Sequence, residues 1–292
     1  MKMNPTSIPI LSQLYLPMID NGRHKSQIKE VTIQRNKSGI VSSFQDFVAV
    51  EAPLQIEVKG KPVSITMRTP GDDVALALGF LFTEGLINDY NAIADVKQKD
   101  ENTVDVLPED GFIIQAESME RNFYSTSSCG VCGKASIDAI RAKSRYMPPR
   151  KNIIVDDNIL FTLQERLLTV QSAFELTGGL HACALFTPDG RYLFHSEDVG
   201  RHNALDKLIG HTLMAGRLPL DEHILLLSGR ASFELVQKAA MAGIPVIAAV
   251  GAPSSLAIEL ATENRQTLIG FLKKTGFNTY MPATNASGNN HI

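Results

Sequence analysis

From Ile224 to Phe271 the chain alternates between short apolar runs and longer amphipathic stretches: Ile224–Leu227, Phe233–Met241, Val246–Val250, Leu256–Ala261 and Leu268–Phe271. Runs of four or five branched apolar residues fit strands buried on both faces, and the stretches between them fit helices. A helix between two strands carries the chain back to the edge it started from, so the strands it joins lie parallel. The spacing therefore predicts an α/β sheet with parallel strands and helices on its faces. Two connections, Ser228-Gly229-Arg230-Ala231-Ser232 and Gly251-Ala252-Pro253-Ser254-Ser255, leave a strand and open a helix. Both are expected at the carboxyl edge of the sheet, where open α/β folds bind ligands. Helix starts offer unpaired N–H groups and the positive end of a dipole, which suits a phosphate-bearing ligand. The next connection, Phe271-Leu272-Lys273-Lys274-Thr275-Gly276, adds two ammonium groups. The candidate contacts are thus Ser228, Gly229, Arg230 and Ser254, with Phe271, Leu272, Lys273, Lys274, Thr275 and Gly276. Neither loop is a Walker A or Gly-x-Gly-x-x-Gly motif, and each alone reads equally well as ordinary helix capping.

The first half is organised differently. Residues 1–28 read as a tail, polar and punctuated by Pro and Gly. A small α+β lobe is expected over 29–116. It has strands at Phe47–Val50, Leu54–Val58, Pro62–Met67, Val104–Val106 and Phe112–Ile114, and a helix opened by Asp72-Asp73, an Asp capping its first turn. Gly85 fits the C-terminal cap of that helix. Arg68, ahead of Pro70-Gly71, reads as an exposed turn charge. The larger unit is expected over 117–284. Within it a helix is expected around Leu163–Phe174, ending at Thr177-Gly178-Gly179. Strands His181–Phe186 and Tyr192–Phe194 follow, paired around Pro188-Asp189-Gly190. A helix from Arg201 then presents Leu205, Leu208, Ile209 and Leu213 on one face. The polar cluster Glu197-Asp198-Val199-Gly200-Arg201-His202-Asn203 reads either as a capping and salt-bridge network or as ligand contact through Arg201 or His202.

The 31 acidic and 28 basic residues leave a net charge of -3, with no general pull toward nucleic acid or an anionic membrane. The N-terminus lacks the pattern of a signal peptide, and no run approaches the roughly 20 apolar residues of a membrane span. Three cysteines are too few for a disulfide framework and fit the reducing cytoplasm. Two of them form Ser128-Cys129-Gly130-Val131-Cys132-Gly133-Lys134, after a hydroxyl-rich run and before a short helical pattern. Thiols at a helix start near a lysine have lowered pKa values and are nucleophilic. Three chemistries fit this pair. Cys129 and Cys132 can carry sulfur as a persulfide. They can supply half of a zinc site that His181 and Cys183 complete, since those two share a strand face. They can also exchange disulfides, although no strand of a thioredoxin-type unit leads into them. Cys183 taken alone reads as core.

Four motifs in order, Ser127–Gly133, Thr177-Gly178-Gly179-Leu180-His181, Glu197–Asn203 and Ser228-Gly229-Arg230, resemble the formate dehydrogenase accessory protein family, FdhD/NarQ. The resemblance runs from about Ala49 to Tyr280. It implies a sulfurtransferase that accepts sulfur from a cysteine desulfurase as a persulfide. The sulfur goes to molybdenum bis(molybdopterin guanine dinucleotide), a bound substrate destined for the formate dehydrogenase catalytic subunit. It also implies a homodimer, a cytidine deaminase-like three-layer domain after a smaller lobe, the persulfide on Cys129, and the cofactor loop on Phe271 through Gly276. The family pattern ends that loop in glycine followed by arginine; this chain has Thr275 and Gly276 there, while Lys273 keeps a positive charge. No structural metal is implied. Deamination is excluded by the sequence, because a zinc deaminase needs His-x-Glu ahead of Pro-Cys-x-x-Cys. No His-x-Glu precedes Cys129, and Ser128 stands where the proline belongs.

Overall fold

Residues 26–110, 144, 146–147 and 153–281 are described in a computed structural model. The predicted alternation is present as β9 (Ile224–Leu227), α5 (Phe233–Met241), β10 (Val246–Ala249), α6 (Ser255–Glu263), β11 (Thr267–Lys273) and β12 (Gly276–Met281). Before it come α2 (Asp157–Leu168), α3 (Ser172–Thr177), β7 (His181–Phe186), β8 (Tyr192–Asp198) and α4 (Arg201–Met214). The six strands form one sheet in the order β12-β11-β10-β9-β7-β8. Strands β9, β10 and β11 are parallel, and β12 returns antiparallel as a hairpin. Strand β7 is antiparallel to both β8 and β9, so β8 runs in the direction of β9. Consequently α4, α5 and α6 all begin at the same edge of the sheet.

Every residue of β9 and β10 is buried, as covering both sheet faces requires. Alternate strand residues divide between two apolar clusters. Cys183, Leu185, Leu225, Leu227, Ile247 and Ala249 pack on the side of α4, α5 and α6. Ala182, Ala184, Leu226, Val246, Ala248 and Leu272 pack with Leu160, Leu163 and Leu167 of α2.

The N-terminal half has β1 (Ile28–Lys37), β2 (Ile40–Ala49), β3 (Ala52–Val58), β4 (Lys61–Arg68), α1 (Asp73–Thr83), β5 (Ile93–Asp100) and β6 (Thr103–Pro108). Strands β1 and β2 form a separate ribbon, and the others a four-stranded sheet in the order β4-β3-β6-β5. Leu54, Ile56, Val104 and Val106 of that sheet share one cluster with α1 and with Leu205, Leu208 and Leu235. Helix α1 crosses α4 with backbones in contact. A Cβ on Gly79 would overlap the Asp206 carbonyl, and one on Gly210 would overlap that of Ala75.

Several expectations are corrected. The single helix over 163–174 is two helices, because Gln171 at ψ 69 leaves helical geometry before α3 begins. Asp72 does not cap α1; it is itself left-handed (φ 58), and its carboxylate lies 3.2 Å from His211 Nε2. Arg68 is no surface charge. It is 1% exposed, donates two 2.9 Å bonds to Asp73 and one of 2.8 Å to the Glu101 carbonyl, and ties α1 to the β5–β6 turn. Strand β5, polar and mostly exposed, carries no apolar alternation to predict it. Gly85 does close α1, with φ 74 and a Leu86 N–H bond back to the Leu81 carbonyl. The expected strand Phe112–Ile114 lies outside the described residues.

Candidate functional site at the carboxyl edge

The loops after β9, β10 and β11 stack side by side at the carboxyl edge of the parallel strands. Gly251 N–H donates to the Gly229 carbonyl at 2.9 Å, and Phe271 N–H to the Gly251 carbonyl at 3.1 Å. Ser254 N–H bonds the Ala231 carbonyl at 3.0 Å, and Ala231 pairs with Pro253 as a parallel bridge. The approach is close enough to need glycine: a Cβ on Gly251 would sit 2.9 Å from the Arg230 nitrogen. Ser228, Gly229, Arg230 and Ser254 therefore meet in one place. Not all of their polar atoms face outward. Ser228 Oγ accepts from Ala182 N–H at 2.8 Å, and Ser254 Oγ accepts from Ala257 N–H at 3.3 Å to cap α6. Arg230 is exposed.

Phe271 to Gly276 forms the β11–β12 hairpin. A register shift between Gly270 and Lys273 leaves Phe271 left-handed (φ 53) and 42% exposed at the bulge. An open depression of about 430 Å³ is lined by Phe271, Lys273, Thr275, Gly276, Phe277 and Asn278. Lys273 is exposed, and Lys274 turns away to Glu165 at 3.1 Å. The Leu272 side chain is fully buried in the core and is not offered to a ligand at this edge.

The start of α4 brings further groups to the same edge. His181 opens β7 beside Gly229, where a Cβ would lie 3.3 Å from its Nδ1. Burial first, then the nearby Arg201, lowers the His181 pKa, so the ring is neutral near pH 7. His202 Nε2 is 3.3 Å from Ser232 Oγ and 3.8 Å from the Glu234 carboxylate. Arg201 Nε is buried and, among the described residues, makes no hydrogen bond. Neither α4 nor α5 has a side-chain cap on its first turn, and the three helix dipoles add positive potential at this edge.

The rest of the Glu197–Asn203 cluster is a buried strut. Asp198 is wholly buried and accepts from Thr69 N–H (3.1 Å), Lys207 Nζ (2.7 Å), Gly200 N–H (2.8 Å) and Asn203 Nδ2 (3.2 Å). Lys207 Nζ also donates to the Thr69 carbonyl at 2.7 Å. These bonds lock the segment after β4 to the start of α4. Sequence reasoning overlooked Thr69 and Lys207; the signal available was an acid ahead of a helix with a lysine two turns into it.

Cys129 and Cys132 lie outside the described residues. Cys183 is buried in the core, and burial raises its thiol pKa far above the usual range. Among the described residues no group of three or more His, Cys, Asp or Glu side chains is arranged to hold a metal ion. No helix among them is long and apolar enough to cross a membrane.

The FdhD/NarQ family profile matches residues 49–286. The chain is 49% identical over 259 residues to the sulfur carrier protein FdhD of Streptomyces avermitilis, covering 84% of this chain and 91% of the other. It is 51% identical to that of Streptomyces coelicolor over 85% and 92% of the two chains. To that of Sulfolobus acidocaldarius it is 42% identical, over 87% and 96%. A solved structure from Desulfotalea psychrophila, assigned as a formate dehydrogenase accessory protein, superposes with a TM-score of 0.70. It covers 87% of this chain and 97% of the other at 22% identity, and so shares the fold. A match over most of the chain, at close to half identity, makes this protein a member of the FdhD/NarQ family.

Proposed function

We propose that this protein carries sulfur to a molybdenum cofactor through Cys129. The observation that carries the reading is the 49–51% identity, over more than four-fifths of the chain, to Streptomyces proteins named sulfur carriers. In the loading step the Cys129 thiolate attacks the outer sulfur of a cysteine desulfurase persulfide. The new S–S bond forms on Cys129 and the desulfurase cysteine leaves as a thiolate, so no external oxidant is needed. Cys132 assists or shares the sulfur. The substrate that receives it is molybdenum bis(molybdopterin guanine dinucleotide), on its way to the formate dehydrogenase catalytic subunit in the cytoplasm.

The carboxyl edge is suited to the diphosphates of that substrate. Three helix starts, Arg230 and Lys273 concentrate positive potential where Ser228–Ser232, Gly251–Ser255 and Phe271–Gly276 meet. Phe271, half exposed on its bulge, offers a ring face against which a base can stack. We assign residues 117–284 to a cytidine deaminase-like unit and 29–116 to a smaller lobe. A six-stranded sheet with helices on both faces supports the first assignment. In cells lacking the protein, wild type should restore formate dehydrogenase activity and Cys129→Ala, at equal abundance, should not. Restoration by Cys129→Ala would overturn the reading.

A further inference from the structure

Arg201 and His181 lie close together with hydrogen-bonding capacity unused. His181 stands two residues before Cys183, which pairs with Leu227, so the register sets it opposite Gly229. On its other side it pairs with Asp198 at the end of β8. Arg201 follows Asp198 by three residues as the first residue of α4. Both side chains are partly buried. Among the described residues Arg201 Nε is buried without a hydrogen bond, and the His181 ring is influenced only by burial, Arg201 and Asp198. The carboxylates of the flanking segments are engaged elsewhere. Asp198 holds Lys207 at 2.7 Å, Glu197 accepts from Phe174 N–H at 3.1 Å, and Glu234 lies 3.8 Å from His202. A polar group buried without a partner is costly and rare, so a guanidinium kept this way points to a ligand that completes it.

From Phe271 to His181 the edge is a continuous floor of main chain. Phe271 N–H meets the Gly251 carbonyl, and Gly251 N–H meets the Gly229 carbonyl. Two glycines keep that floor clear. A Cβ on Gly251 would strike Arg230, and one on Gly229 would press on the His181 ring at 3.3 Å. Strands β11 and β7 are separated by β10 and β9, so the two ends of the floor lie roughly 14 Å apart. One elongated molecule can occupy both. Its base fits against Phe271, and its diphosphate fits the middle, where α5 and α6 begin and Arg230 stands. What reaches His181 and Arg201 is the far end of the same molecule.

We propose that Arg201 and His181 form the subsite for the sulfur-accepting end of the cofactor, where they bind the anionic ligands of its metal. The proposal rests on the carrier reading above. A guanidinium with no carboxylate beside it supplies fixed charge and parallel N–H donors to an anion. A neutral imidazole adds one N–H donor and leaves the charge to Arg201. The first turn of α4, uncapped by any side chain, adds its N–H groups.

Tungstate, a compact metal oxyanion, probes this subsite on the full-length chain by NMR of the histidine rings. It should shift the His181 resonances and raise that ring's pKa, because a bound anion offsets Arg201. Arg201→Met should weaken tungstate about tenfold or more, the loss expected for a bond to a charged group. Gly229→Ala keeps every charge, displaces the ring, and should weaken tungstate about threefold or more. Saturating GDP should leave the tungstate shift in place. Its loss on adding GDP would make this a diphosphate site and overturn the proposal. So would an unmoved His181, or wild-type affinity in both variants. A second arm starts from protein loaded with labelled sulfur, to which the cofactor is added. Arg201→Met should discharge about tenfold more slowly than wild type, and equal rates would also overturn the proposal. A wild type that takes up no sulfur would sink the carrier reading instead, and the tungstate arm reads the subsite regardless.

Discussion

Asp198→Asn tests whether the strut behind the candidate site holds it in place. The substitution keeps the side chain's shape and removes its charge. Asp198 is wholly buried and its Oδ2 lies 2.7 Å from Lys207 Nζ, so the variant leaves an ammonium in the core facing an amide. Removing one partner of a buried pair costs roughly 3–5 kcal/mol. Lys207 keeps its 2.7 Å bond to the Thr69 carbonyl, which argues for the lower end, about 3 kcal/mol. Against a typical total of about 5–15 kcal/mol this is a large fraction. With a urea slope near 3 kcal/mol per molar, the midpoint should fall by about 1 M. Adding Lys207→Met removes the orphaned charge, and the double variant should regain at least half of the loss. Urea denaturation of the wild type, both singles and the double completes the cycle. A loss under about 1 kcal/mol in Asp198→Asn, or a double variant no better than the sum of the singles, would refute the strut.

Other outcomes follow from the same geometry. Burial pushes His195 down to about 4, with Tyr192 OH 2.6 Å from its Nδ1 and Glu197 3.9 Å from its Nε2. The unfolded chain binds a proton there near pH 6.5 and the folded chain does not, so stability should fall as pH drops from about 6.5 to 4. Partial exposure limits this to the order of 2 kcal/mol, and His195→Asn should flatten the slope in denaturation curves taken across that window. Gly79→Ala forces a methyl group into the Asp206 carbonyl and should cost about 2–3 kcal/mol or more, read as a lower thermal midpoint. Lys273→Ala should weaken GDP binding by roughly 1–3 kcal/mol. Guanosine should bind less tightly than GDP in calorimetry, and equal affinities would place the phosphates away from this edge.

The parallel core was legible because each of β9, β10 and β11 is a short apolar run closed by a Gly or Ser loop, so local pattern and long-range order agree. The same pattern located the three loops at one edge before any contact was known. Arg68 was misread for the opposite reason. Its partner Asp73 sits behind a Pro-Gly turn that usually marks the surface, and only the docking of the four-stranded sheet on α1 buries the pair. Strand β5 left little trace because it is a polar sheet edge with register shifts at both ends. Helix α3 was merged with α2 because Thr169-Val170-Gln171 carries no Pro or Gly to mark the break. Asp72 has the residue type of a cap, yet its left-handed backbone puts its carboxylate beside His211. Tertiary placement decides such cases, and local propensity does not record it.

The central claim is that Cys129 carries the sulfur. Protein incubated with a cysteine desulfurase and 34S-labelled cysteine, then digested under non-reducing conditions, should show one labelled sulfur on the peptide bearing Cys129. Reductant should remove it, and added bis(molybdopterin guanine dinucleotide) cofactor should discharge it. Label that persists in Cys129→Ala at wild-type occupancy, or that the cofactor never removes, would contradict the account.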